Sequence, residues 1–100
     1  MRDIAPSVSV KDVVVAVSRE AGIPTEALLG RSRQQPLARW RHLAFLLAHE
    51  LTHQPLVQIG RAMDRDHSTV WHGCNRANER MENDVQLRRA YDKLKASLVG

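Results

Sequence analysis

The stretch "LVQIGRAMDRDHSTVWHGCNRANERM", residues 56–81, constrains the fold more than any other part of the chain. Leu56, Ile59 and Met63 recur at the spacing of one short amphipathic helix. Val70, Cys74, Ala77 and Met81 follow at i, i+4, i+7 and i+11 of a second. Between them "DRDH" interrupts the apolar pattern abruptly. A short helix, a tight turn and a second helix with a polar outer face follow helix-turn-helix logic. Asp66 can cap the second helix through the amides of its first turn. Its outward positions are Ser68, Thr69, His72, Asn75 and Arg76, with His67 at the tip and no acid before Glu79. All of these side chains can bond to base edges or phosphates. Trp71 lies on the flank of the apolar stripe and is expected to be buried.

The rest of the chain reads as further helices. In "SVSVKDVVVAVSREAG", Val10, Val13, Val14, Val17 and Ala21 keep a helical period that outweighs the strand propensity of Val13–Val15. Ser9 is the expected cap and Gly22 the expected stop. "PTEALLG" reads as a short helix capped by Thr25 and ended by Gly30, "RSRQQP" as a basic loop, and Pro36 as the start of "LARWRHLAFLLAHELT". A last helix carries Leu87, Tyr91, Leu94 and Leu98 on one face, capped by Asn83 or Asp84. No strand is expected, so the fold class is all-α. The expected organisation is a flexible N-terminus over residues 1–8 and one domain over 9–98.

A chain of 100 residues with 43% hydrophobic content can bury one modest core and leaves little room for an enclosed cleft. A single cysteine, Cys74, excludes an internal disulfide and a cysteine-based zinc knuckle. The longest apolar run, Leu43 to Ala48, is too short to cross a bilayer, and "MRDIAPSVSV" lacks the apolar core of a signal peptide. These features fit a cytoplasmic, nucleoid-associated protein with no membrane contact. The formal charge is +4, and Arg31, Arg33, Arg39 and Arg41 lie together with no acid before His49. Such a concentrated patch favours a polyanion. The basic C-terminal helix, with Arg88, Arg89, Lys93 and Lys95, is expected to be a solvated face.

One motif points elsewhere. "AHELTHQP" places His49, Glu50 and His53 in the H-E-x-x-H spacing of zinc peptidases. On a helix His42, His49 and His53 fall within about 40° of one another, opposite Trp40, Leu43, Ala44, Leu47 and Leu51. Zinc hydrolysis would also need a third protein ligand, an open coordination position, oxyanion donors and a substrate groove. The sequence supplies no clear source for these, so an enzyme is not expected.

"IGRAMDRDHSTVWHGCNR", residues 59–76, resembles the signature of the C-terminal DNA-binding domain of DnaA, the bacterial chromosomal replication initiator. "LLGRSRQQPLARWRHLAFLLAHELT" is similar to that domain's basic loop and long helix, and "SVKDVVVAVSREAG" to its first helix. The resemblance covers about residues 8–98. It implies a Trp-repressor-like helical fold that binds an asymmetric, A/T-rich duplex without a cofactor. It places Arg33 in the minor groove and Asp66, His67, Ser68 and Thr69 at bases in the major groove. Arg31, Arg41, His42, His49, Arg65, His72, Asn75 and Arg76 are the expected backbone contacts.

The chain departs from the family pattern in places. The turn before Arg65 is one residue shorter and lacks the usual pair of glycines. Ser68 stands where threonine is common, and Trp40 and Val57 each replace a usual proline. The 100 residues contain no G-x-x-x-x-G-K-[ST] phosphate loop, so no ATPase is expected within them. Taken as a stand-alone gene product, the chain is expected to regulate transcription in the manner of phage-derived or gene-transfer-agent regulators, with transcription machinery or a co-regulator as a possible protein partner. Replication control at initiator sites, or origin as a piece of a full initiator, is the alternative.

Overall fold

A computed structural model describes residues 8–32 and 34–99. It contains six helices: α1 (Val10–Ala21), α2 (Thr25–Leu28), α3 (Leu37–Thr52), α4 (Leu56–Met63), α5 (His67–Met81) and α6 (Val85–Val99). No strand occurs among the described residues. Of the tail expected over residues 1–8, only Val8 is described, and it packs against the core.

Local chemistry fixes most of the helix ends. Ser9 Oγ accepts the Asp12 amide at 3.0 Å, and the Asp12 carboxylate accepts the Ser9 amide at 3.1 Å, a reciprocal cap on α1. Gly22 ends α1 in the left-handed region at φ 69°, where a side chain would be strained. α2 differs from expectation. Pro24 occupies the cap position, and Thr25 is the first helical residue, its hydroxyl 3.2 Å from the Glu26 carboxylate. At the start of α6, Asp84 accepts the Leu87 amide at 3.0 Å, which decides between the two expected caps.

α3 is the scaffold. It touches α1, α2, α4, α5 and α6, and it buries Ala38, Trp40, Leu43, Ala44, Phe45, Leu46, Leu47 and Ala48. These residues surround most of the helix rather than forming one stripe, because neighbours lie on nearly every side. Trp40, grouped with the apolar face on sequence grounds, is in the core. The first and last turns are tied to α6. Arg39 pairs with Asp84 at 2.8 Å, and Glu50 accepts from the Tyr91 hydroxyl at 2.6 Å.

Two glycines permit the close approaches that build the two-helix unit. A Cβ on Gly73 would collide with the Phe45 ring, so α5 can lie across α3 only with glycine there. A Cβ on Gly60 would collide with the Arg65 carbonyl. The bare backbone lets Arg65 N–H donate to Gly60 O at 2.7 Å and close the turn. Asp64 takes the left-handed position at φ 57°, a role that aspartate tolerates better than most residues. The Cα radius of gyration, 12.9 Å, matches the roughly 13 Å of a single 100-residue domain, so one core serves all six helices.

Candidate nucleic-acid interface

α5 presents its polar face without competition from the rest of the protein. Val70, Gly73, Cys74 and Ala77 turn inward against α3 and α4. His67, Ser68, Thr69, His72, Asn75 and Arg76 are all exposed. No side-chain hydrogen bond or ion pair joins Thr69, His72, Asn75 or Arg76 to another described residue. Their donors and acceptors are open to a ligand.

The tip of the helix is more ordered. Asp66 accepts the Ser68 amide at 3.3 Å and also the Ser68 hydroxyl. The Ser68 side-chain hydrogen bond, more than any other influence, holds the Asp66 carboxyl below the usual carboxylate range. His67 Nδ1 lies 3.3 Å from the other Asp66 oxygen, which leaves Nε2 directed away from that pair. Three of the expected base readers therefore form one connected group at the N-terminus of α5, and Thr69 stands free beside them.

A shallow groove runs along one flank of α5. Thr69, His72, Arg76 and Arg80 line it from the helix, at i, i+3, i+7 and i+11. Arg31 and Gln35 line it from the loop before α3. Arg80 was missed on sequence grounds because Glu79 was taken as the end of the polar face. Continuing the spacing of Thr69, His72 and Arg76 would have found it. The flank is electropositive enough to act on its neighbour. Burial and then Arg80, Arg41 and Arg76 push the His42 imidazole down to about 4.

Several expected phosphate contacts have other occupations. Arg41 is buried, and its guanidinium donates to Leu28 O and Ser32 O, both at 2.6 Å, and to Ala27 O at 3.4 Å. Arg65 donates to Leu29 O at 3.2 Å and to Gly30 O, besides Met63 O and Asp64 O in its own turn. Both donate to carbonyls at the end of α2 and in the loop after it, where the helix has stopped, and Ala27 O also accepts the Gly30 amide at 3.1 Å. Neither is a free cation for DNA, and burial and each one's neighbouring arginine lower their pKa values. His42 was expected to face outward with His49. It is half-buried against Phe45 and Gly73, and its Nδ1 has no partner among the described residues. His49 is exposed, but lies two turns further along α3 and does not line the groove. Arg31 is exposed and pairs with Asp64 at 2.8 Å. Arg33 lies outside the described residues. Trp71, expected to be buried, is 52% exposed, with its ring edge-on to His72 at 5.3 Å.

The H-E-x-x-H residues are divided among other tasks. Glu50 is held by Tyr91 and, at 3.5 Å, by Lys95. His53 caps α3 in the left-handed region at φ 58°. Among the described residues no three His, Cys, Asp or Glu side chains are grouped to hold a metal. The thiol of Cys74 is buried and raised to about 11, chiefly by desolvation, so it is no nucleophile at neutral pH.

Comparison with known proteins settles the family. The model of the bacterial DnaA helix-turn-helix matches residues 10–77, from the first turn of α1 to the inward residue Ala77 of α5. The chain belongs to the bacterial DnaA helix-turn-helix family. It is also similar to the chromosomal replication initiator protein DnaA of Leptospira biflexa serovar Patoc, in each of two strains of Patoc 1. Identity is 35% over 83 residues, covering 83% of this chain and 19% of each relative. The chain thus spans about a fifth of the length of the curated relatives it matches. The six-helix architecture is the DnaA C-terminal fold, and the two-helix unit α4–α5 is its DNA-binding helix-turn-helix. No described helix is long and apolar enough to cross a membrane.

Proposed function

We propose that the chain binds double-stranded DNA sequence-specifically, with α5 in the major groove and the loop before α3 along the adjacent minor groove. The observation that carries this reading is the row of exposed, unbonded polar side chains on α5, bordered by Arg31, Arg76 and Arg80. His67, Ser68 and Thr69 read base edges, with Asp66 capping the helix and accepting from a cytosine amino group. His72, Asn75 and Arg76 hold phosphates. Arg33 enters a narrow A/T-rich minor groove, where the negative potential is strongest. The site is asymmetric because the two reading elements differ.

The biological role we infer is control by occupancy, acting on transcription from the nucleoid without ATP hydrolysis within this domain. A second reading, replication control at initiator sites, is favoured by the relatives, both of which are named as replication initiators. Selection from a random duplex library tests the binding, followed by salt titration of the selected site. The expected result is one enriched asymmetric motif and a steep fall in affinity with salt. Flat salt dependence or no enrichment overturns it. Genome-wide footprinting then separates the two roles by the genes beside the occupied sites.

A further inference from the structure

The end of α2 and the loop that follows present a row of carbonyls, and within it Ala27 O also accepts the Gly30 amide at 3.1 Å. Five of them, those of Ala27, Leu28, Leu29, Gly30 and Ser32, accept from just two guanidinium groups. Arg41 reaches them from the scaffold helix α3, and Arg65 from the turn between α4 and α5. Arg65 also holds Met63 O and Asp64 O of its own turn. One planar group therefore spans the loop and the turn, a geometry that lysine cannot reproduce. The guanidiniums repel each other, and Arg31 adds to the positive charge around Arg65. Carbonyl dipoles offset that repulsion, since Arg41 donates through all three of its nitrogens and Arg65 through both terminal ones.

We propose that Arg41 and Arg65 are positioning residues. They clamp the basic loop to the helix-turn-helix and fix the offset between the two elements that read DNA. The inference rests on the DNA-binding reading above and adds how its two parts are held in register. Ser32, whose carbonyl Arg41 holds at 2.6 Å, directly precedes Arg33 in the chain. An unclamped loop would have to be ordered at each binding event, which lowers affinity for the specific site. A clamp formed in the free protein removes that cost. It also ties recognition in one groove to recognition in the other.

The decisive variant is Arg65→Lys, which keeps the charge and loses the fork. A phosphate contact would survive this change largely intact, because lysine binds phosphate as a point charge. A clamp would not. The expected result, on the selected duplex, is a loss of about ten- to a hundred-fold in specific affinity. Non-specific binding, the salt slope and far-UV helicity stay at wild-type values. The variant's own selected motif should keep the major-groove bases and tolerate one base pair more or less between them and the A/T-rich part. Wild-type affinity and motif in Arg65→Lys would overturn the clamp alone. A wild type that selects no motif would overturn the DNA reading and the clamp with it.

NMR of the wild-type guanidinium protons covers the case in which the variant fails to fold. Slowly exchanging Arg41 and Arg65 signals in the free protein, unmoved by saturating duplex, support the clamp. Signals that sharpen only when DNA is added overturn it.

Discussion

α3 and α5 both carry arginines and histidines, α3 among alanines and leucines and α5 on a more polar helix, yet they use them in opposite ways. On α3, Arg39 is bonded to Asp84 and Gln86, Arg41 to backbone carbonyls, and His42 lies against Phe45. On α5, His72, Asn75 and Arg76 have no side-chain partner among the described residues. Residue type is therefore a poor guide to which cation meets DNA. What decides is whether the fold already supplies acceptors. α3 meets the end of α2 and the start of α6, and these take the donors of Arg41 and most of those of Arg39. One side of α5 meets only solvent, and its donors remain available.

The contrast can be broken at several strengths. The largest effect is expected where the two helices meet. Phe45→Ala should lower folding stability by about 3–5 kcal/mol, because the ring fills the space under Gly73. Urea unfolding followed by circular dichroism measures it, and a loss under about 1 kcal/mol would mean α3 does not support α5. Next come the proposed base contacts. Arg33→Ala and His67→Ala should each cost about 1–3 kcal/mol in specific binding while leaving the urea midpoint unchanged. Equal affinity in both variants by fluorescence anisotropy would displace the proposed interface.

Matched arginines sharpen the comparison further. Arg39→Ala strands the partly buried Asp84 and should cost about 1–3 kcal/mol of stability. Arg76→Ala should stay within about 0.5 kcal/mol of the wild type. Its effect should instead be a salt slope about one unit shallower in DNA titrations. An unfolding cost in Arg76→Ala equal to that in Arg39→Ala would erase the distinction between the helices. Asp66→Ala, which uncaps α5, should lower the urea midpoint in the same unfolding assay.

A further difference is a pH dependence that belongs to α3. The unfolded chain protonates the His42 imidazole near its ordinary 6.5, and the folded chain only near 4. Between those values the unfolded state binds more protons, so stability falls as the pH drops from 6.5 to 4. Asp66 and Asp84, whose pKa values are lowered, act below that window and add loss only at more acid pH. His42→Gln should flatten the pH 6.5 to 4 portion in urea midpoints, whereas an unchanged profile would assign it to other groups.

Much of the fold was legible because its signals are local. Apolar spacing marked the longer helices, Ser9 and Asp66 marked helix starts by accepting amides a few residues away, and Gly22 marked an end by its left-handed backbone, with its N–H donating to Arg19 O. Exposure on α5 was legible where periodicity alone decides, as for Ser68, Thr69, His72 and Asn75. It was misread where a distant partner decides. Trp71, expected to be buried, is exposed. The helical wheel shows a side chain's direction but not whether another helix stands there. Arg41 and Arg65 looked like free cations because their carbonyl partners belong to a loop that shares no pattern with them.

By itself, then, the sequence determined the all-helical class, the helix-turn-helix and the polar row on α5, since each follows from backbone bonding and spacing within a few turns. Only the tertiary structure decided which arginines are spent inside, that Glu50 of the H-E-x-x-H run is bonded to Tyr91, and that Gly60 and Gly73 sit where no side chain fits. Those outcomes depend on which donors and acceptors meet across long stretches of chain. Burial then requires them to be satisfied, whatever the residues look like in sequence.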